Sequence, residues 1–210
     1  MAATPRWQGP QRRIGLTGGI ATGKSSVGRW LQQQAGLPLL DADGFAREAL
    51  APDSEASQAV LNRYGPGVQA AGGTINRSAL GAIVFSNPAE RRWLEQLVHP
   101  IVRARFAAEL ERLAAEPTVV LMVPLLFEAN LEGLCSEVWL VDCEEQQQLQ
   151  RLIGRDGLSE AAARARIAAQ WPLAHKRGLA DQLIDNRGSL EQLHGLLRDL
   201  TSPAAGLLSP

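Results

Sequence analysis

The sequence predicts an α/β protein: a five-stranded parallel sheet with helices on both faces. Three observations carry that expectation. Short apolar runs alternate with helical patterns along the chain, as strands do with their crossover helices in a parallel sheet. Gly18-x-x-x-x-Gly23-Lys24-Ser25 lies between an apolar strand and a helical pattern, the setting in which such a loop cradles phosphate. Thr118–Val123 is a continuous apolar, β-branched run, as a strand buried on both faces should be.

Taken in order, Ile14 and Leu16 form the apolar end of a first strand. After the loop, Val27, Trp30 and Leu31 fall at helical spacing, and Gly36 and Pro38 mark a stop. Pro38–Asp41 reads as a second strand, ending in Asp41-Ala42-Asp43-Gly44. Residues 45–51 and 54–64 look helical, separated by Pro52 and Asp53; Gly65-Pro66-Gly67 ends the second. Gly72-Gly73 is a turn before a short helix over Arg77–Phe85. Asn87-Pro88 opens a long helix, since proline suits the first helical position, with Trp93, Leu94, Leu97 and Val98 on one face. Pro100 is expected to break or restart it, and Ile101–Ala115 continues it. Residues 44–116 are therefore nearly all helix, more than one crossover needs, and read as an insertion. Thr118–Val123 and Glu137–Asp142 are the third and fourth strands, with a helix from about Glu144. Ser159 suits the cap of a helix over Glu160–Gln170, with Pro172 beyond its end. Gln182–Asp185 is a last strand and Ser189–Leu200 a last helix.

The chemistry of the glycine-rich loop explains its residue types. Its glycines let backbone N–H groups turn inward around phosphate oxygens where a Cβ would clash. Lys24 can bridge outer phosphates as a point charge, and Ser25 offers a hydroxyl to Mg²⁺. The helix beginning near Gly23 points its positive end at the same anion. The loop alone says nucleotide; it does not distinguish kinase, motor or switch.

Composition narrows the classes. The 210 residues suggest one domain, with room for a small insertion. With 21 basic and 22 acidic residues the net charge is −1, unlike the basic footprint of a nucleic-acid binder. Cys135 and Cys143 follow no zinc or redox spacing and read as small buried residues in a reducing cytoplasm. With three His and no paired cysteines, a zinc site is not expected. The longest apolar run, Val119–Phe127, is interrupted by Pro124 and falls far short of the ~20 residues that cross a bilayer. Residues 1–11 carry no apolar signal core; they and residues 201–210 are expected to be loose termini. The composition leaves a monomer or a small homo-oligomer open.

Outside the loop, Asp43 is the candidate base. Phosphoryl transfer to an alcohol needs an acceptor for the hydroxyl proton and an in-line arrangement, and strand ends in open α/β sheets face the ligand crevice. Asp41 points the other way if the strand persists, which gives it a structural or Mg²⁺-water role. Capping of the next helix is the alternative for either. Arg155 suits a hinged lid arginine that offsets phosphoryl charge; Arg151, Arg164 and Arg166 read as solvated helix faces. His99 sits at the expected helix break, and a lone His there is more often a cap or packed group than a ligand. Glu128 lies at the rim after the central strand, behind Pro124-Leu125-Leu126-Phe127, which reads as core.

Together these segments resemble the dephospho-coenzyme A kinase family: Thr17-Gly18-Gly19-Ile20-Ala21-Thr22-Gly23-Lys24-Ser25, Asp41-Ala42-Asp43, Leu97-Val98-His99-Pro100, Val123-Pro124-Leu125-Leu126-Phe127-Glu128, Arg155-Asp156, and Ala180-Asp181-x-x-Ile184-Asp185-Asn186-x-Gly188. The resemblance runs from about Ile14 to Leu200. It implies a P-loop kinase fold with a nucleotide-binding core over 12–43 and 117–200, a small lid at about 154–172, and a helical substrate-binding insertion over 44–116. It implies transfer of the ATP γ-phosphate to the ribose 3′-hydroxyl of dephospho-CoA, the last step of coenzyme A synthesis. By similarity Asp43 is the base, Lys24 and Arg155 assist, and Ser25 holds Mg²⁺. ATP would lie against Thr17, Gly18, Gly19, Ile20, Ala21, Thr22, Gly23, Lys24, Ser25, Ser26, Arg155, Asn186 and Gly188. Dephospho-CoA would meet Asp43, His99, Arg103, Pro124, Leu126 and Glu128.

Two residues depart from the family's pattern, which usually has Gly at Ala21 and Ser at Thr22. If the backbone there needs positive φ, Ala21 is strained by about 1–2 kcal/mol; Thr22 keeps its hydroxyl. The alternatives are another P-loop nucleotide or sugar kinase, a GTP switch, and a scaffold that has lost catalysis. Asp41-Ala42-Asp43-Gly44 matches the Asp-x-x-Gly switch pattern but comes too soon after the loop, and no Asn-Lys-x-Asp guanine reader occurs. The presence of Lys24, Ser25, Asp43 and Arg155 argues against decay.

Overall fold

A computed structural model describes residues 5–202. Within them the chain divides into a sheet unit, residues 5–40 with 114–202, and a helical unit, residues 41–113.

The sheet unit is built on β1 (Arg12–Gly18), β2 (Leu39–Asp41), β3 (Thr118–Met122), β4 (Glu137–Asp142) and β5 (Gln182–Asp185), in the order β2-β3-β1-β4-β5. β1 runs parallel to both neighbours, with Ile14 level with Val120 on one side and Glu137 on the other. The expected strands are present with nearly the expected ends. Ile14, Leu16, Val120 and Met122 face Val27 and Leu31 of α1 (Lys24–Gln33) and Leu193 and Leu197 far along the chain. Successive strand residues point to opposite faces, so Gly15 looks the other way. A Cβ there would lie 2.6 Å from Cys135 Sγ and 3.2 Å from Leu126 Cδ2; the missing side chain is what admits that layer. Burial pushes the Cys135 thiol up to about 12, and both cysteines are free and buried, the inert state expected of them.

In the helical unit, α2 (Ala42–Ala49) starts earlier than the pattern suggested, because Asp41 caps it: its Oδ1 accepts the Asp43 N–H at 3.0 Å. α3 (Glu55–Tyr64) and α4 (Arg77–Ser86) follow. α5 (Pro88–Arg112) is a single helix with Pro100 inside it, so the expected break does not occur. Pro100 and Gln96, whose carbonyl loses its donor, are exposed, and water can serve that carbonyl. The buried residues Val98, Val102, Phe106 and Leu110 keep four-residue spacing across the proline, and Phe106 meets Phe45 of α2 edge-on at 5.0 Å.

The sheet unit continues with α6 (Glu145–Asp156), α7 (Glu160–Ala168), α8 (Leu173–Arg177) and α9 (Leu190–Thr201). α6 opens with a capping box from Glu144 and Gln147 and closes at Gly157, φ 64°. It therefore runs through Gly154 and carries Arg155 in its last turn. α8 has no forerunner in the sequence pattern; Pro172 begins it instead of merely ending α7. Residues 5–11, expected to be loose, are held: Arg6 pairs with Asp181 at 3.3 Å, Trp7 N–H donates to the Cys135 carbonyl at 3.0 Å, and the Arg13 guanidinium stacks 3.5 Å from the Trp7 ring centre. Thr201 closes α9. The expectation for residues 1–4 and 203–210 lies outside the described residues.

One titrating cluster ties the helical unit together. Glu90 accepts both Arg63 Nε (2.7 Å) and Tyr64 OH (2.6 Å). Those bonds, Arg63 first, hold its carboxyl down to about 2 from 4.5. A lowered folded-state pKa stabilises above the unfolded value and is lost as pH falls through the folded one. The stability difference between the parent and Glu90→Gln should therefore be full above about pH 4.5 and vanish toward pH 2 in thermal melts. A difference that stays constant over that window would remove Glu90 from this role.

Candidate active site

The glycine-rich loop leaves the carboxyl end of β1, in the middle of the sheet, and runs into α1. Gly23 is the N-cap of α1 with φ 97°, and a Cβ on it would stand 2.1 Å from Asn186 Nδ2, so only glycine serves. Three of the loop's carbonyls have partners, two of them from outside the loop. Asn186 Nδ2 donates to the Thr22 carbonyl at 2.7 Å, Gln148 Nε2 to the Ile20 carbonyl at 2.7 Å, and Thr22 Oγ1 to the Gly19 carbonyl at 2.9 Å. Arg151 braces Asn186 through its carbonyl at 2.9 Å. With carbonyls drawn outward, N–H groups and the α1 N-terminus remain for an anion. Lys24 and Ser25 are the first two residues of α1, Lys24 half-buried and Ser25 exposed.

The other predicted residues divide between the units. Asn186 and Gly188 follow β5; Asn186 is buried and bonded to the loop. Thr17 is buried and its hydroxyl donates to the Pro124 carbonyl at 3.2 Å, which ties β1 to the turn after β3. Leu126 is fully buried beside Gly15, so it is core and not a substrate contact; neighbouring Leu125 is the exposed one. Glu128 is paired with Lys176. Arg155 is exposed and forks onto Asp156 at 2.7 and 3.0 Å, which holds the Asp156 carboxyl below its usual range. Ser26 is exposed on α1 and borders a cavity of about 760 Å³ between α1 and α9, with Arg29, Trp30, His194 and Arg198. In the helical unit, Asp43 is exposed at the second position of α2, and His99 and Arg103 are exposed one turn apart on α5.

Residues 12–192 match the family model described as Dephospho-CoA kinase. The chain belongs to the dephospho-CoA kinase family. A relative named dephospho-CoA kinase from Synechococcus sp. (strain CC9605) is 69% identical over 179 residues, covering 85% of this chain and 86% of its own. A solved Thermus thermophilus structure has a TM-score of 0.76 at 38% identity, covering 95% of this chain and 99% of that one. The solved dephospho-CoA kinase from Campylobacter jejuni has a TM-score of 0.65 at 26% identity, with 90% and 94% covered. Membership makes the protein a kinase that takes phosphate from ATP and acts on a small molecule. No helix among the described residues is long and apolar enough to cross a membrane.

Sequence reasoning missed Gln148, Arg151 and Gln170. Gln170 Oε1 accepts the Ile20 N–H at 2.8 Å. Nothing in a single sequence marks them, since a helical glutamine or arginine reads as a solvated face. The question left by Ala21 is answered: its φ is 59°, the strained case. Its methyl packs with Ile20 against Leu149, Leu152 and Ala163 of α6 and α7. Ala21→Gly would relieve about 1–2 kcal/mol, add about 0.5–1 kcal/mol of chain entropy and forfeit up to ~0.8 kcal/mol of methyl burial. Its unfolding free energy should thus stay within about 1 kcal/mol of the parent's in denaturant titrations. A loss of several kcal/mol would show the methyl to be a structural anchor.

Proposed function

We propose that the protein transfers the γ-phosphate of ATP to the ribose 3′-hydroxyl of dephospho-CoA, giving CoA and ADP. The observation that carries this reading is the outward-pinned phosphate loop in a chain of this family. Lys24 and the loop N–H groups offset the charge that spreads over the transferred phosphoryl group.

Mg²⁺ fits this site as a substrate-bound ion. Among the described residues no group of three or more His, Cys, Asp or Glu side chains is placed to hold a metal. Mg²⁺ keeps several waters and takes its other ligands from phosphates and one or two side chains; the exposed Ser25 hydroxyl suits that partial set. When bound, the ion neutralises charge between the outer phosphates.

Asp43 is assigned the base that takes the proton of the 3′-hydroxyl. Asp41 supports this by fixing the first turn of α2, on which Asp43 sits. Arg155 is assigned to the phosphates, for which its fork must leave Asp156. An exposed pair of this kind is worth about 0–1 kcal/mol, so a triphosphate can outbid it. His99 and Arg103, exposed on the helical unit, are assigned to dephospho-CoA; Glu128, committed to Lys176, is given no substrate role. Two free, buried cysteines suit a reducing cytoplasm.

A coupled ADP-release assay with ATP, Mg²⁺ and dephospho-CoA tests the assignment, with AMP and simple sugars as controls; preference for a control would move the chain's substrate elsewhere. Asp43→Asn should bind a nonhydrolysable ATP analogue nearly as the parent does while turnover falls by about 10²–10⁴-fold. Near-parental turnover would take the base role from Asp43. Lys24→Ala should weaken both analogue binding and turnover.

A further inference from the structure

We propose that Lys176 is a positioning residue for the phosphate loop, acting through Glu128 and Gln170. Lys176 lies in α8 and is fully buried, a rare state for lysine unless it is paired. Its Nζ stands 2.6 Å from Glu128 Oε1, in the turn that follows β3. The contact is a close ion pair without good hydrogen-bond alignment, and Glu128 Oε2 is buried with no hydrogen-bond partner. A buried pair satisfied this incompletely is a weak source of stability. Its location supplies a better reason for it.

Glu128 Oε1 also accepts the backbone N–H of Trp171 at 3.2 Å. The pair therefore fastens the segment between α7 and α8 to the exit of β3. One residue back, Gln170 Oε1 accepts the Ile20 N–H at 2.8 Å, while Gln148 Nε2 donates to the Ile20 carbonyl at 2.7 Å. Ile20 is thus held on both of its backbone polar groups, next to Ala21 in its left-handed conformation. Leu173, one turn before Lys176, brings Cδ2 to 3.5 Å from where a Cβ of Gly19 would be. The segment from Gln170 to Lys176 touches the loop at Gly19 and Ile20 and is itself anchored by one buried charge pair. Removing the anchor frees Gln170, and a free Gln170 no longer holds Ile20.

This rests on the reading that the loop binds the phosphates of ATP. The test is titration of a nonhydrolysable ATP analogue into the parent, Gln170→Ala, Lys176→Met and the two combined, with a thermal melt of each. Lys176→Met strands a buried carboxylate, so Lys176→Met with Glu128→Gln is the second form of the same test. Each change should weaken analogue binding about tenfold, an amount in keeping with one unsatisfied backbone donor. Combining Gln170→Ala with the loss of Lys176 should weaken it no further, and in steady state KM for ATP should rise while KM for dephospho-CoA holds. Two results would overturn the proposal: variants that melt lower yet bind the analogue as the parent does, or effects of the two positions that multiply. Failure of the parent itself to bind the analogue would instead sink the kinase reading, and this proposal with it.

Discussion

The phosphate loop depends on hydrogen bonds that reach it from behind. In a peptide unit the N–H and C=O point in opposite directions, so a loop that is to offer N–H groups inward must find partners for its carbonyls outside. Here Asn186 from the β5 exit and Gln148 from α6 supply two of them, and Thr22 supplies a third from within the loop. The same constraint explains Gly23: the Asn186 amide that holds Thr22 occupies the space a Cβ would need. Glycine and asparagine are a matched pair, far apart in sequence. Preorganisation of this kind lowers the ordering cost of binding an anion.

Charge in the sheet unit is arranged in two ways. The exposed fork of Arg155 on Asp156 sits in water and exchanges cheaply. The Lys176–Glu128 pair is sequestered and does not. An exchangeable arginine suits a group that must meet a substrate phosphate, and a sequestered lysine suits a group that must stay put. This gives the two kinds of ion pair separate tasks: Arg155 at the end of α6 can change partners, while the segment ahead of α8 remains fixed.

The helical unit shows how packing overrides local rules. Proline disfavours a helix interior, yet α5 passes through Pro100 because its cost falls on an exposed carbonyl while its apolar face continues unbroken into Phe106 and Leu110. At the head of the unit, Asp41 spends its side chain on the Asp43 N–H. Two carboxylates two residues apart thereby acquire different environments, one tied to backbone and one exposed.

Strand runs, the loop, the cap at Ser159 and the family segments were all legible in the residue string, because each is a pattern within a few neighbours. β4 and β5 begin and end where the pattern put them. What the string did not contain is any partner distant along the chain. Leu126 read as core, but nothing in the string showed that Gly15 leaves the room for it; Arg151 looked solvated and braces Asn186; residues 5–11 looked loose and are pinned by Asp181 and Cys135. Ala21 is the clearest case: the sequence posed the question of its backbone strain, and only the folded loop, bent to present its N–H groups, settled the sign of φ. Local pattern specifies which elements form, whereas contacts between residues far apart along the chain set which side chains are left to act.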